Sequence, residues 1–162
     1  MAVLTGCVAA GSSELAGGDH SAPEVTLTLA DAREITLERQ QEIASYFPAE
    51  FTADTRTTET TPVIYPCGGE NNFQWPVVTI ITITGEPPHE QIIEAIVADW
   101  SGRSGWTLER STSSKGFPKV TLNHEDGSSF LAGFYASGAE FWVDSYSPCF
   151  HHPAGYEYGE RY

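Results

Sequence analysis

The chain has 162 residues, of which 40% are hydrophobic and 12% aromatic, so it is long enough and apolar enough to form one globular domain. Eight basic residues against 22 acidic ones give a net charge of −14, which repels phosphate backbones and excludes nucleic acid as an expected partner. The sequence contains no apolar run of about 18 residues, the length that a membrane-spanning helix needs.

The N-terminal residues Leu4-Thr5-Gly6-Cys7 follow a short apolar run. This pattern is typical of a bacterial lipobox, in which the cysteine thiol receives a diacylglyceryl thioether and becomes the new N-terminus after cleavage. No basic residue precedes it, so we expect residues 1–7 to be the end of a longer lipoprotein signal. The sequence thus predicts a protein on the extracytoplasmic face of the cell membrane, anchored through lipid on Cys7.

Residues 8–26 hold Gly, Ser, Ala and Asp with few large apolar side chains, the composition of a flexible tether. A helix is predicted to begin near Thr28, which with Asp31 forms an approximate capping box, and to stop at Pro48. The segment 52–66 alternates threonine with charged residues and is interpreted as extended chain or an edge strand. Residues 77–84 are all β-branched and predict the strongest strand.

A second helix is predicted after Pro87-Pro88, with apolar residues at helical spacing up to Trp100. Four strands then follow as a meander, at about 106–112, 118–124, 129–136 and 140–146, separated by turn sequences typical of hairpins. We therefore predict an α+β fold, a two-layer sandwich in which a mostly antiparallel sheet of about five strands carries two helices on one face. The single domain spans 27–150, and 151–162 is interpreted as a C-terminal tail.

Three cysteines divide into the lipidation candidate Cys7 and an even pair, Cys67 and Cys149. In an exported chain such a pair predicts one disulfide bond, which would close a loop of about 80 residues and stabilise the fold by roughly 3–5 kcal/mol. The alternative is two buried free thiols in a cytosolic protein.

The last two strands are crowded with aromatic residues, and strand alternation divides these residues between two faces. One face must form the core. If the other face is exposed, Tyr135, Trp142 and Tyr146 form an aromatic patch on the open side of the sheet, suited to a protein, peptide or glycan partner. In the alternative, the tail or the tether covers these rings.

Motifs for other chemistry are weak. His124, His151 and His152 lack the spacing of a metal site, and no dinucleotide or phosphate-binding fingerprint occurs, so we predict no metal and no cofactor. The sequence has no Gly-x-Ser-x-Gly elbow, and we predict no catalytic residue. A hydrolase site assembled from distant residues, for example His124 with an acidic partner, is kept as an alternative.

The lipobox, the Gly/Ser/Ala tether and the closing pattern from Trp142 through Ser147-Pro148-Cys149 together resemble the small cell-envelope lipoproteins of actinobacteria, in particular the mycobacterial LppA-like group. A phage- or prophage-encoded relative is a further alternative. The resemblance spans most of the chain loosely. It implies an envelope location and an α+β fold, and it supplies no catalytic residue.

The leading hypothesis is therefore a non-enzymatic, surface-tethered binding module for an envelope protein, peptide or glycan. The alternative hypothesis is an inhibitor, immunity or phage superinfection-exclusion protein whose sheet face blocks an envelope enzyme or receptor. Acidity together with exposed aromatic residues would serve either function.

Overall fold

A computed structural model describes residues 26–58, 60–135 and 137–162. The predicted α+β class is confirmed: two helices pack on one face of an antiparallel sheet. That sheet has six strands, where about five were expected, and a second sheet of three short strands accompanies it. Within the described ranges, no helix has the length and apolar character required to cross a bilayer. The lipobox, Cys7 and nearly all of the predicted tether lie outside the described residues.

Helix α1 spans Leu29–Ala44 and begins as the sequence predicts. The Thr28 side chain accepts a hydrogen bond from the Asp31 backbone, and the Asp31 carboxylate accepts one from the Thr28 backbone, which completes a capping box. Its buried stripe includes two polar residues, Thr36 and Gln40, beside the expected Ala32 and Ile43. Polar side chains at core positions must find partners inside the fold, and both of them do.

Helix α2 spans His89–Trp100 and follows directly on the two prolines. Its apolar stripe is buried at Ile92, Ile93, Ile96 and Trp100, as its spacing predicts. Just after the helix, the Arg103 guanidinium lies 4.0 Å from the Trp100 ring centroid and pairs with carboxylates of both helices. This cation therefore joins the two helices at one end of the layer.

The large sheet consists of β1 Thr52–Thr57, β4 Pro76–Ile83, β5 Trp106–Thr112, β6 Pro118–His124, β7 Ser129–Phe134 and β8 Glu140–Tyr146. Its strand order is β1-β4-β8-β7-β6-β5, and every neighbouring pair is antiparallel. The meander β5 to β8 follows from its hairpin turns, whereas β4 pairs with the distant β8 and places β1 at the edge.

The register divides the large sheet into two faces. Phe130, Phe134 and Phe141 point toward the helices and are almost fully buried among the isoleucines of α2. The residues between them, such as Leu131, Gly133 and Trp142, point to the opposite face, because successive strand residues alternate. No helix of the described residues covers that opposite face, which we call the open face.

The small sheet pairs β2 Tyr65–Pro66 with β3 Asn72–Gln74, and β3 with β9 Phe150–His151. It covers a second apolar cluster beside the first part of α1, built around Trp75, Phe150 and Tyr162. Most of residues 151–162, interpreted from the sequence as a tail, are exposed, but their end is fixed to the domain. Tyr162 is buried and exchanges two backbone hydrogen bonds with Thr61. The segment 52–66, predicted as one extended stretch, is divided between the two sheets.

Candidate functional site

A groove of about 330 Å³ lies on the open face, across the three strands β6, β7 and β8. The residues that line it come from these strands, from the β5–β6 hairpin and from the position just after β7: Ser113, Ser114, Lys119, Leu131, Gly133, Phe134, Tyr135, Trp142 and Asp144. A groove of this size suits a small ligand or one residue of a larger partner.

The floor of the groove is Gly133. In the register it lies directly between Lys119 of β6 and Trp142 of β8, so one row of the sheet reads lysine, glycine, tryptophan. A Cβ atom at this position would stand 2.5 Å from Lys119 Cγ and 3.1 Å from Lys119 Cα. The glycine is therefore required for packing, because the Lys119 stem occupies the space that a side chain would fill.

One wall of the groove is a stacked aromatic pair. The rings of Tyr135 and Trp142 have centroids 4.0 Å apart and planes inclined by only 25°. The indole nitrogen of Trp142 donates a hydrogen bond of 2.9 Å to Glu140, and this bond fixes the orientation of the ring. Tyr135 remains 52% exposed. The pair presents a preorganised ring surface to solvent, which is unusual for residues that serve packing alone.

The charged groups of the groove are Lys119 and Asp144. Neither side chain takes part in an ion pair of the described residues. Burial raises the pKa of Asp144 above its usual range, against a smaller opposing effect of the Ser145 backbone N–H. The groove therefore offers one cationic donor and one carboxylate acceptor that form no ion pair within the described fold, and the carboxylate can accept further bonds beside that from the Ser145 N–H.

Tyr146, the third residue of the predicted patch, also faces the open side, because it alternates with Ser145 on β8. It does not join the stacked pair. Its ring makes an edge-on contact with Tyr65 of the small sheet, with centroids 5.7 Å apart, and it is 37% exposed. Burial, with the negative charge of Asp144, raises its pKa. The structure thus brings together two of the three predicted residues.

The predicted cysteine pair is also brought together. Cys67, between β2 and β3, and Cys149, just before β9, lie at disulfide distance with Cα atoms 6.0 Å apart. Eighty-two positions separate them in the sequence.

A second polar cluster lies on the helix side, around Asp126 in the β6–β7 turn. Arg39 of α1 donates hydrogen bonds of 2.7 Å to Asp126 and to Ser128, and Ser128 donates through its hydroxyl to Asp126 at 2.6 Å. His124 Nδ1 lies 3.0 Å from Asp126. Although burial opposes it, these bonds from Ser128, Arg39 and His124 lower the pKa of Asp126 to about 2.

This cluster has the residue types of a hydrolase but a different connection. In a nucleophile–base pair the hydroxyl donates to an imidazole that a carboxylate orients, whereas here the carboxylate of Asp126 is central and Ser128 donates to it. The hydroxyl is also buried. The arrangement fastens α1 to the β6–β7 turn. His151 and His152 lie elsewhere, in and after β9, and the described residues contain no group of three or more metal-ligating side chains.

Sequence reasoning missed Lys119, Gly133 and Asp144 as groove residues. A glycine inside an otherwise apolar strand indicates a close approach of neighbouring chain, and this signal was available at Gly133. The partners that approach it depend on strand order and register, which the local sequence does not contain.

Comparisons with known proteins add no relative: no protein-family model matches the chain, and neither a curated protein nor a solved structure does.

Proposed function

We propose that the chain is a non-enzymatic binding module, tethered by lipid on Cys7 to the extracytoplasmic face of a membrane, that engages an envelope protein, peptide or glycan through the groove of its open face. The observation that carries this proposal is the stacked pair Tyr135–Trp142, exposed beside a groove with an unpaired lysine and an unpaired carboxylate.

The energetics of such a surface favour binding. Tyrosine and tryptophan dominate the energy of protein interfaces because they bury large areas at little cost in conformational entropy. Here the Trp142–Glu140 hydrogen bond holds the indole before any ligand arrives. A preorganised ring loses less freedom on association, so a larger part of the contact energy appears as affinity.

The proposed location is supported by two independent features of the chain. Leu4-Thr5-Gly6-Cys7 has the pattern of a lipobox. The pair Cys67 and Cys149 at disulfide distance suits an oxidising compartment. We also propose that the chain belongs to the LppA-like envelope lipoproteins, and this membership would imply the same location.

Affinity capture from detergent-solubilised actinobacterial envelopes tests the binding function. The wild type is compared with Trp142→Ala, Tyr135→Ala and the control Tyr158→Ala, which removes a ring that is 98% exposed and does not line the groove. We expect a retained component that both groove variants lose at least tenfold, the effect of about 1.4 kcal/mol, and that the control retains. Equal retention by all four proteins would refute a role of the groove.

Intact mass of the protein expressed with a complete signal in an actinobacterial host tests the anchor. We expect a diacylglyceryl adduct on Cys7 that is absent from Cys7→Ser. An unmodified wild-type chain recovered from the cytosol would contradict the proposed location.

A further inference from the structure

The groove lies among paired strands, and this limits the ligands that it can read. Strands β6, β7 and β8 are each hydrogen-bonded to neighbours on both sides. An extended peptide cannot add to them as a further strand, since this mode needs the free N–H and C=O groups of a sheet edge. A ligand in the groove must therefore be recognised by side chains.

The aromatic wall further limits the kinds of ligand that fit the groove. Proline-rich peptides insert prolines into slots between separated aromatic rings. Tyr135 and Trp142 leave no such slot, because their rings are in contact at 4.0 Å. In this stack each ring covers one face of the other, so the flat surface that the pair offers to a ligand is an outer ring face, and Tyr135 is half exposed. An outer ring face fits a ligand with a flat apolar face, and the ring carbons of a sugar provide one while its hydroxyl groups point to the sides.

The polar groups match the same ligand. Lys119 donates hydrogen bonds and Asp144 accepts them, so a ligand with both donors and acceptors can pair with both side chains. The two charges cancel locally, whereas the chain as a whole carries −14. An ion of either sign would lie beside a groove residue of its own sign, Asp144 or Lys119, and the net charge also repels anions, so the two groove residues favour a neutral ligand.

From this geometry we propose that the groove binds a neutral sugar ring of a glycan. The apolar face of the sugar ring lies on the outer face of the Tyr135–Trp142 stack, one hydroxyl group donates to Asp144, and another accepts from Lys119. The volume of about 330 Å³ accommodates one ring and part of the next. This inference rests on the proposed function, since it names the ligand of the same site.

The test is a titration of the ¹⁵N-labelled chain with three neutral trisaccharides, maltotriose, cellotriose and chitotriose, followed by amide and indole NMR shifts. We expect at least one to bind with a Kd of roughly 1 mM or tighter and to shift the signals of Gly133, Lys119 and the Trp142 indole. Trp142→Ala is expected to weaken this binding at least tenfold, and Asp144→Asn to weaken it severalfold.

Tyr158→Ala serves as the matched control and should bind like the wild type. The spectrum of each variant also reports whether the variant is folded, so a loss of binding is separated from a loss of structure. Absence of shifts with all three sugars at about 10 mM, or shifts confined to residues outside the groove, would overturn the inference. If trigalacturonic acid, which is anionic, bound tenfold more tightly than the neutral sugars, the proposal that the ligand is neutral would be overturned.

The two proposals fail differently. If no sugar binds but Trp142 and Tyr135 are still needed to capture an envelope protein, the glycan inference is wrong and the binding module stands. If neither sugars nor envelope components depend on these rings, both proposals are wrong.

Discussion

Replacing Gly133 by alanine should destabilise the sheet. The added Cβ would stand 2.5 Å from Lys119 Cγ and 2.9 Å from Lys119 Cβ. Carbon atoms in favourable contact are about 3.5–4.0 Å apart, so these atoms must separate by about 1 Å. The contact at 3.1 Å with Lys119 Cα shows that a rotation of the lysine side chain cannot relieve the clash alone, and strand β6 itself has to shift.

Overpacking of this kind costs about 1–3 kcal/mol. The loss of conformational freedom in the unfolded chain returns about 0.4–1 kcal/mol. The expected net destabilisation is therefore about 1–2 kcal/mol, which corresponds to a decrease in Tm of roughly 3–10 °C for a domain of this size.

Urea unfolding and thermal denaturation followed by circular dichroism measure the effect. The matched control is Gly102→Ala, since Gly102 lies after α2, does not have positive φ, and has no atom within 4 Å of an added Cβ. That variant should lie within about 0.5 kcal/mol of the wild type. Equal stability of Gly133→Ala and Gly102→Ala would refute the close approach of Lys119 to the groove floor.

Three further predictions concern the interior. Because the pKa of Asp126 is lowered to about 2 in the folded chain, its carboxylate stabilises the fold above the unfolded pKa of about 4, and this stabilisation is lost as the pH falls toward 2. Urea titrations should show that the free energy of unfolding falls by about 2 kcal/mol over this range in the wild type and not in Asp126→Asn. Parallel pH profiles of the two proteins would contradict this prediction. Gln40→Ala removes a buried amide that donates to two backbone carbonyls and to a serine hydroxyl, and it should lower the free energy of unfolding in urea by about 2–4 kcal/mol. The control Gln41→Ala changes an exposed neighbour and should lower it by less than about 0.5 kcal/mol. Similar losses in the two variants would be inconsistent with the buried contacts. If Cys67 and Cys149 form a disulfide, mass spectrometry without reductant should find the chain lighter by two hydrogen atoms, and reduction should lower the free energy of unfolding by roughly 3–5 kcal/mol. A Cys67→Ala/Cys149→Ala variant should no longer respond to reductant. Free thiols in the exported protein would show that the bond is absent.

Local signals in the sequence predicted the elements well. Thr28 and Asp31 form the capping box that marks the start of α1, and the Ile92, Ile96 and Trp100 spacing of α2 faces the core as predicted. Both patterns involve residues three or four positions apart, so their interactions are set by helix geometry before any tertiary contact forms. The hairpins of the meander are local in the same sense.

Long-range pairings could not be predicted in this way. Strands of the small sheet have only two or three residues, too few for an alternation pattern to be detected, and β9 lies far in sequence from its partner β3. Gln40 lies at a core position of α1 because it reaches backbone groups of two strands, which a hydrophobic pattern does not reveal. The groove depends on the same pairings, since only the register aligns Lys119, Gly133 and Trp142.

The backbone bond between Leu27 and His151 has a mechanical consequence. His151 donates to the Leu27 carbonyl at 2.8 Å, immediately ahead of α1, so tension applied to the preceding chain reaches β9 before it reaches the large sheet. Cys149 lies two residues before His151. When Cys149 and Cys67 are joined by a disulfide bond, β9 cannot separate far from the other strands of the small sheet. Reduction would remove this restraint, so the force that the domain bears when pulled from its N-terminal side should depend on the redox state of the Cys67–Cys149 pair.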